Sequence, residues 1–269
     1  MELGWDIFMW VAIAVFLLSL TAAVIATICH KRSSAAIICS ATAIAIFAIF
    51  IAMLWNTLER PPLRTMGETR LWYSLFLLMA GLFTYVRWQF RWVLSFSTLL
   101  ATVFMVINIL KPEIHDQTLM PALQSVWFVP HVSVYMFSYA LLGCATLLAI
   151  GALATKSDKF DEAIERLIYG GTAFVTIGMF TGAIWAKDAW GAYWSWDAKE
   201  AWAAVTWGLY LVAIHLALRP STYSSVRQKR IYYTIIIVAF LALQMCWWGV
   251  NYLPTAADSV HTYNQQLTS

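Results

Sequence analysis

Eight apolar runs, each near the length that crosses a bilayer, lie along the chain at about 7–29, 35–55, 71–86, 92–110, 131–154, 167–185, 201–218 and 231–250. A helix rising 1.5 Å per residue needs about 20 residues to cross roughly 30 Å of hydrocarbon, so the pattern predicts an all-α polytopic membrane protein of about eight transmembrane helices. No period-two alternation is long enough for a membrane barrel, and there is no fixed-period repeat. The third run is short, and only Arg87-Trp88-Gln89-Phe90-Arg91 separates it from the fourth. A tight helical hairpin is expected there, with a re-entrant or tilted pair as the alternative.

The polar intervals set the expected topology. Taking the ends of the runs alternately, eleven of the 17 Lys and Arg residues fall on one side, Lys31, Arg87, Lys156 and Arg227 among them. By the positive-inside rule that side is the inner one, so both termini and the 186–202 interval are expected to face outward. The connector 56–70 runs against this count with Arg60, Arg64 and Arg70 on the outer side. Residues 111–130 contain Pro112, Pro121 and Pro130 and are not expected to form one long helix. The interval 155–166 reads as an amphipathic helix start on the inner surface or as a solvated connector. The N-terminus carries Glu2 and Asp6 where a signal peptide would carry Lys or Arg, so the first run reads as a retained span. The division expected is an N-terminal four-helix membrane region, 1–110, and a second region, 111–269.

Composition agrees with the pattern and removes several functions. Hydrophobic residues make up 61% and charged residues 12%, and mean hydropathy is +0.70, which excludes a soluble globular domain. The net charge of +3 is dispersed, so there is no nucleic-acid footprint. Cys29, Cys39, Cys144 and Cys246 form no C-x-x-C pair, which argues against a thiol–disulfide carrier. No nucleophile beside a base, phosphate-cradling glycine loop or H-E-x-x-H is present.

What remains is aromatic and imidazole chemistry. Residues 185–202 hold Trp185, Trp190, Trp194, Trp196 and Trp202 with Tyr193, set among Lys187, Asp197, Lys199 and Glu200. An interfacial aromatic belt is spread over many loops; this concentration points instead to contact with a flat, greasy ligand, haem or a quinone. Trp190 and Trp194 are four apart and Asp197 and Glu200 three apart, so a helical turn would put each pair on one face. Two histidines, His131 at the head of the fifth run and His261 after the last, flank this shelf in the expected topology. Haem iron takes an axial imidazole on each face. His215 lies 13 residues beyond Trp202, about 20 Å lower on a helix, too far to ligate the same iron. An ionisable residue at that depth is a functional candidate; its partner ligand would be His30 or come from another chain. Asp197, Lys199 and Glu200 could act as an acid–base set, hold the loop or meet haem propionates, for which Lys199 and Lys187 are suited as point charges.

The run Trp190-Gly-Ala-Tyr-Trp194-Ser-Trp196-Asp197-Ala-Lys199-Glu200-Ala-Trp202, continuing through Trp207 and Tyr210 to His215, resembles the WWD signature of haem-handling proteins. Its Trp-Asp-x-Lys-Glu core is similar to the CcsA (ResC) family of System II cytochrome c biogenesis. Leu123-Gln-Ser-x-Trp127-x-x-x-His131-Val and Asn251-Tyr-Leu with His261-Thr-Tyr263 resemble the same family, so the likeness spans about 120–265. Ala198 stands where that family usually has proline. The resemblance implies a subunit of a cytochrome c synthase that exports haem b and presents it to an apocytochrome bearing C-x-x-C-H, alongside a CcsB (ResB)-type membrane subunit. By position, His131 and His261 correspond to the outer ligands, the WWD stretch to the haem platform, and His215 to an intramembrane ligand whose mate the CcsB portion supplies. The membrane implied is the bacterial cytoplasmic membrane, or the thylakoid if the source is a plastid. Two rivals belong to other classes. A cytochrome b-like, quinol-oxidising electron-transfer subunit would need paired histidines within spans, and a cofactor-free transporter would use the tryptophan loop as a gate.

Overall fold

The computed structural model describes Trp5 and residues 7–29, 33–111 and 125–253; His30, His115 and His261 lie outside the described residues. The described chain is helical, with eight helices long and apolar enough to cross a membrane. They are α1 (Phe8–Ile28), α2 (Ser34–Leu58), α3 (Met66–Trp88), α4 (Arg91–Leu110), α5 (Phe128–Thr155), α6 (Asp161–Trp190), α7 (Ala198–Ala217) and α8 (Val226–Trp247). The expectation of an all-α membrane protein with eight spans is met, and three spans, the third, sixth and eighth, begin well before their expected starts, the eighth at Val226 rather than 231. The third is not short: α3 has 23 residues and begins in a capping box, in which the Thr65 side chain accepts from Glu68 N–H while Glu68 reaches back to the amide of Thr65. The sixth begins at Asp161, after a 3-10 turn over Asp158–Phe160, so the second half of the 155–166 interval is the start of a 30-residue helix.

The helices fall into two compact units, residues 1–124 and 125–269. In the first, α1 packs on α2 and α4, and α3 packs on α4 and α2. The α3–α4 connection is two residues long, with Gln89 in the left-handed region at φ 59°, which is the expected hairpin. Buried Ala26, Ala36, Tyr85 and Leu94 form one cluster at this end. Tyr85 accepts the amide of Ser33 at 3.0 Å, and Arg91 donates to the carbonyls of Thr27 (3.3 Å) and Cys29 (3.1 Å). The described backbone groups on either side of the α1–α2 connection, at Thr27, Cys29 and Ser33, thus find partners on α3 and α4.

In the second unit each helix packs on its sequence neighbours, and α8 closes the ring against α5, which makes a four-helix bundle. The starts of α5 and α7 share one end with the finishes of α6 and α8. At the opposite end Lys229 bridges Asp158 and Asp161, each at 2.7 Å, and Tyr233 donates to Asp161, which clamps the start of α8 to the start of α6.

Candidate functional site

The end of the second unit that carries the tryptophans is assembled from three breaks in helix. First, α5 starts at Phe128 with Pro130 in its opening turn, where a missing N–H costs nothing. This places His131 in the same turn. Second, α6 stops at Trp190 because Gly191 takes a left-handed conformation, φ 84°, with its N–H returned to the carbonyl of Lys187. Lys187 Nζ donates to the carbonyl of Gly191 at 2.7 Å and sits 5.6 Å over the Tyr193 ring, so it closes the helix end. Third, α7 starts behind a capping box of Asp197 and Glu200.

That capping box defines what the charged residues of the shelf do. Asp197 accepts from the amide of Lys199 at 2.9 Å. Glu200, buried, accepts from Ser195 N–H (2.7 Å), Ser195 Oγ (3.2 Å) and Asp197 N–H (3.2 Å). Of the three roles open to this pair, holding the loop is the one their geometry serves. Lys199 is partly buried in the first turn of α7, and its carbonyl accepts from the Cys246 thiol at 3.4 Å, which joins α7 to α8.

Trp190 and Trp194 do not share a helical face, because Gly191 ends α6 between them. Trp190 meets Trp185 edge-on with ring centroids 4.7 Å apart. Trp194 packs edge-on against Trp196 at 5.7 Å, with its indole nitrogen buried and unpartnered among the described residues. Trp196 is 73% exposed on left-handed backbone, φ 60°. A large side chain in that conformation costs on the order of 1–3 kcal/mol, and such strain collects at functional sites. Trp202 is half-buried in the second turn of α7.

His131 is held on several sides. Its ring stacks on Trp185 at 5.3 Å and 23° and meets Tyr135 edge-on at 4.9 Å. Its Nδ1 lies 2.8 Å from the carbonyl oxygen of Gly178. A carbonyl only accepts, so Nδ1 carries the proton, and in the neutral ring Nε2 is the basic nitrogen. His131, Trp185, Trp190 and the capped loop thus belong to one end of one bundle. His215 is in the last turn of α7, exposed, with Nδ1 donating to the carbonyl of Leu211 at 2.7 Å. The helix is unbroken between Trp202 and His215, so they are about 20 Å apart along its axis. His261 lies outside the described residues.

A sequence model for cytochrome c assembly proteins matches residues 5–256. The chain belongs to that family. It is similar to the cytochrome c biogenesis protein CcsA of Chlamydomonas reinhardtii, with 31% identity over 237 residues, covering 81% of this chain and 65% of that protein. It is also similar to the proteins of the same name in Oenothera argillicola, 27% identical over 256 residues and 76% and 79% of the two chains, and in Pelargonium hortorum, 28% identical over 266 residues and 80% and 81%. As a member of the cytochrome c assembly family this integral membrane protein acts in cytochrome c maturation.

Sequence reasoning gave Trp185 only as one tryptophan of the shelf, not as the ring on which His131 stacks, and passed over Gly178 and Tyr135, which flank the imidazole. A signal was present for the glycine. Gly178-Met-Phe-Thr-Gly182 is a G-x-x-x-G spacing inside an apolar run, the pattern by which membrane helices approach closely.

Proposed function

We propose that this chain carries haem b to the outer face of the membrane and presents it for covalent attachment to an apocytochrome c, as the CcsA subunit of a System II synthase with a CcsB-type partner. Residues 111–269 are the haem-handling region, and the loop 191–197 faces outward together with both termini. The observation that carries the reading is the setting of His131: an imidazole tautomer fixed by a carbonyl, stacked on Trp185 and joined through it to Trp190, at the end of the bundle whose loop displays a strained and exposed Trp196. The donor set suits haem as cargo. Among the described residues no three His, Cys, Asp or Glu side chains converge to cage a bare ion, whereas an imidazole beside indole faces matches iron in a flat apolar macrocycle.

In this reading His131 and His261 are the axial ligands at the shelf. Trp190, Trp194, Trp196 and Trp202 hold the ring, and Asp197, Glu200 and the backbone they cap keep the platform in place. Lys199 adds a positive charge near it. His215, exposed on the far turn of α7, pairs with a histidine of the partner subunit as the inner station. At the shelf each thiol of the apocytochrome's C-x-x-C-H segment adds across a haem vinyl group, forming a C–S bond while the other vinyl carbon takes up a proton. The histidine of that segment then replaces one outer ligand. The protein's contribution is to hold the reacting groups together, which makes the addition effectively intramolecular.

The test is the haem spectrum of the purified chain, alone and with the CcsB-type subunit, in wild type and His131→Ala. A bis-imidazole signal that falls at least tenfold in the variant, together with loss of holocytochrome c, is expected. Wild-type maturation by His131→Ala would sink the outer-site assignment.

A further inference from the structure

Three glycines of α6 lie close against side chains of α5. A Cβ on Gly171 would lie 2.4 Å from Leu142 Cδ2, and one on Gly178 would lie 2.9 Å from the ring of Tyr135. On Gly182 it would lie 2.5 Å from Cε1 and 2.6 Å from Nδ1 of His131. None of these distances is tolerable, yet the three places differ in how they could yield. Leu142 is a flexible chain. Tyr135 is wedged edge-on between His131 and Tyr139. The imidazole has Trp185 on a face, Tyr135 at an edge and the Gly178 carbonyl on Nδ1. It cannot move without giving up one of these.

We propose that Gly178 and Gly182 are positioning residues for His131, a two-glycine seat that decides both where the imidazole lies and which nitrogen it offers. The proposal rests on the reading of His131 as an outer haem ligand. The missing side chain at 182 lets the ring lie against the backbone of α6. There the carbonyl of residue 178 fixes the proton on Nδ1 and leaves Nε2 as the ligating nitrogen. A carbonyl partner on the second nitrogen orients a ligating imidazole and raises its basicity, and loss of such a partner costs 10–100-fold in metal affinity in other proteins. Tyr135, held by the bare Cα of Gly178, keeps the ring from tilting away.

The experiment is a thermal-unfolding cycle on the full chain in detergent, using wild type, Gly182→Ala, His131→Ala and the double variant, each also titrated with hemin. Gly208→Ala serves as control, since a Cβ there meets nothing within 4 Å. The expected result is a lowered midpoint for Gly182→Ala that disappears in the His131→Ala background, where the obstructing ring is gone. Hemin affinity should fall about tenfold or more in Gly182→Ala with a changed iron spectrum, and Gly208→Ala should match wild type. If Gly182→Ala fails to fold, restoration of folded protein by the added His131→Ala supports the seat. An equal cost in both backgrounds, no cost in either, or unchanged hemin binding overturns it. A hemin spectrum indifferent to His131→Ala, with the thermal coupling intact, would instead overturn the ligand assignment on which the proposal rests.

Discussion

The loops leading into α3 and α7 use the same device and end as opposites. In each, a buried glutamate in the first turn of the helix gathers amides of the loop before it: Glu68 takes those of Arg64 and Thr65, Glu200 those of Ser195 and Asp197. Glu68 also receives both prongs of the Arg60 guanidinium, at 2.9 and 3.0 Å, and Trp72 donates its indole N–H to the carbonyl of Pro62. Charge and aromatic are both turned inward, and the loop is sealed. Glu200 has the Ser195 hydroxyl in place of a guanidinium, and Trp196 and Tyr193 of that loop stand exposed. A capping glutamate makes a loop rigid; the residues around it decide whether the rigid loop closes on itself or displays a surface.

The largest effects that could break this comparison come from the two glutamates. Glu68→Ala takes the acceptor from two amides, one of them on buried Thr65, and leaves the partly buried Arg60 guanidinium only the Pro61 carbonyl, about 1–3 kcal/mol for each donor that water cannot reach. Yield and thermal midpoint should collapse, while maturation per folded molecule stays near wild type. Glu200→Ala takes the acceptor from two amides and a hydroxyl, but Ser195 is exposed and Asp197 half-buried, so water replaces most of these bonds and the total loss is about 1–3 kcal/mol. Here the midpoint should fall less than in Glu68→Ala while maturation per folded molecule drops at least tenfold. Equal maturation defects per folded molecule would show that the two loops do the same job.

Trp196→Gly sharpens the contrast at intermediate size. Glycine suits φ 60°, so stability should hold or rise by about 1 kcal/mol, yet maturation should fall several-fold because the displayed indole is gone. Undiminished holocytochrome c in this variant would remove Trp196 from the shelf. The smallest effect lies at the far end of the bundle, on the connector before α8. There burial, with Glu165 nearby, pushes the Tyr223 hydroxyl up to about 12 from an ordinary 10.0. The folded chain keeps this proton after the unfolded chain has released it. Stability from this group is therefore level below pH 10 and declines between about 10 and 12. A thermal midpoint followed from pH 9 to 12 should fall less steeply in Tyr223→Phe; identical slopes would dispose of the assignment.

The eight spans could be read from the sequence because the bilayer demands a length of apolar chain that few other structures need. Their ends were harder. Glu68 and Arg70 interrupt the apolar pattern, so the uninterrupted run begins only at 71, although Thr65 and Glu68 have capping-box spacing. Asp161, Glu162 and Glu165 hid the first turns of α6 for the same reason: a helix leaving the membrane looks like a connector. The Trp190–Trp194 pairing failed on Gly191, a helix-ending glycine that outweighs four-residue spacing. At the site, His131 stood out as a chemical type in a telling place. Its seat did not, because Gly178, Gly182 and Trp185 matter only through the approach of α6 to α5, a tertiary fact that periodicity along one helix does not contain. Asp197 and Glu200 carried both a capping and a catalytic meaning in the sequence, and only hydrogen-bond geometry separates the two.

The turn between α1 and α2 has a bearing on how the protein is made. Its amide at Ser33 waits for a hydroxyl 52 residues further along, and its carbonyls at Cys29 and Thr27 for a guanidinium 62 and 64 residues further along. A ribosome delivers those groups several seconds later. Until then the Ser33 amide and the Thr27 and Cys29 carbonyls must find other partners, and their final ones come with the second hairpin. The later pair of helices thus supplies the groups that fasten the earlier one.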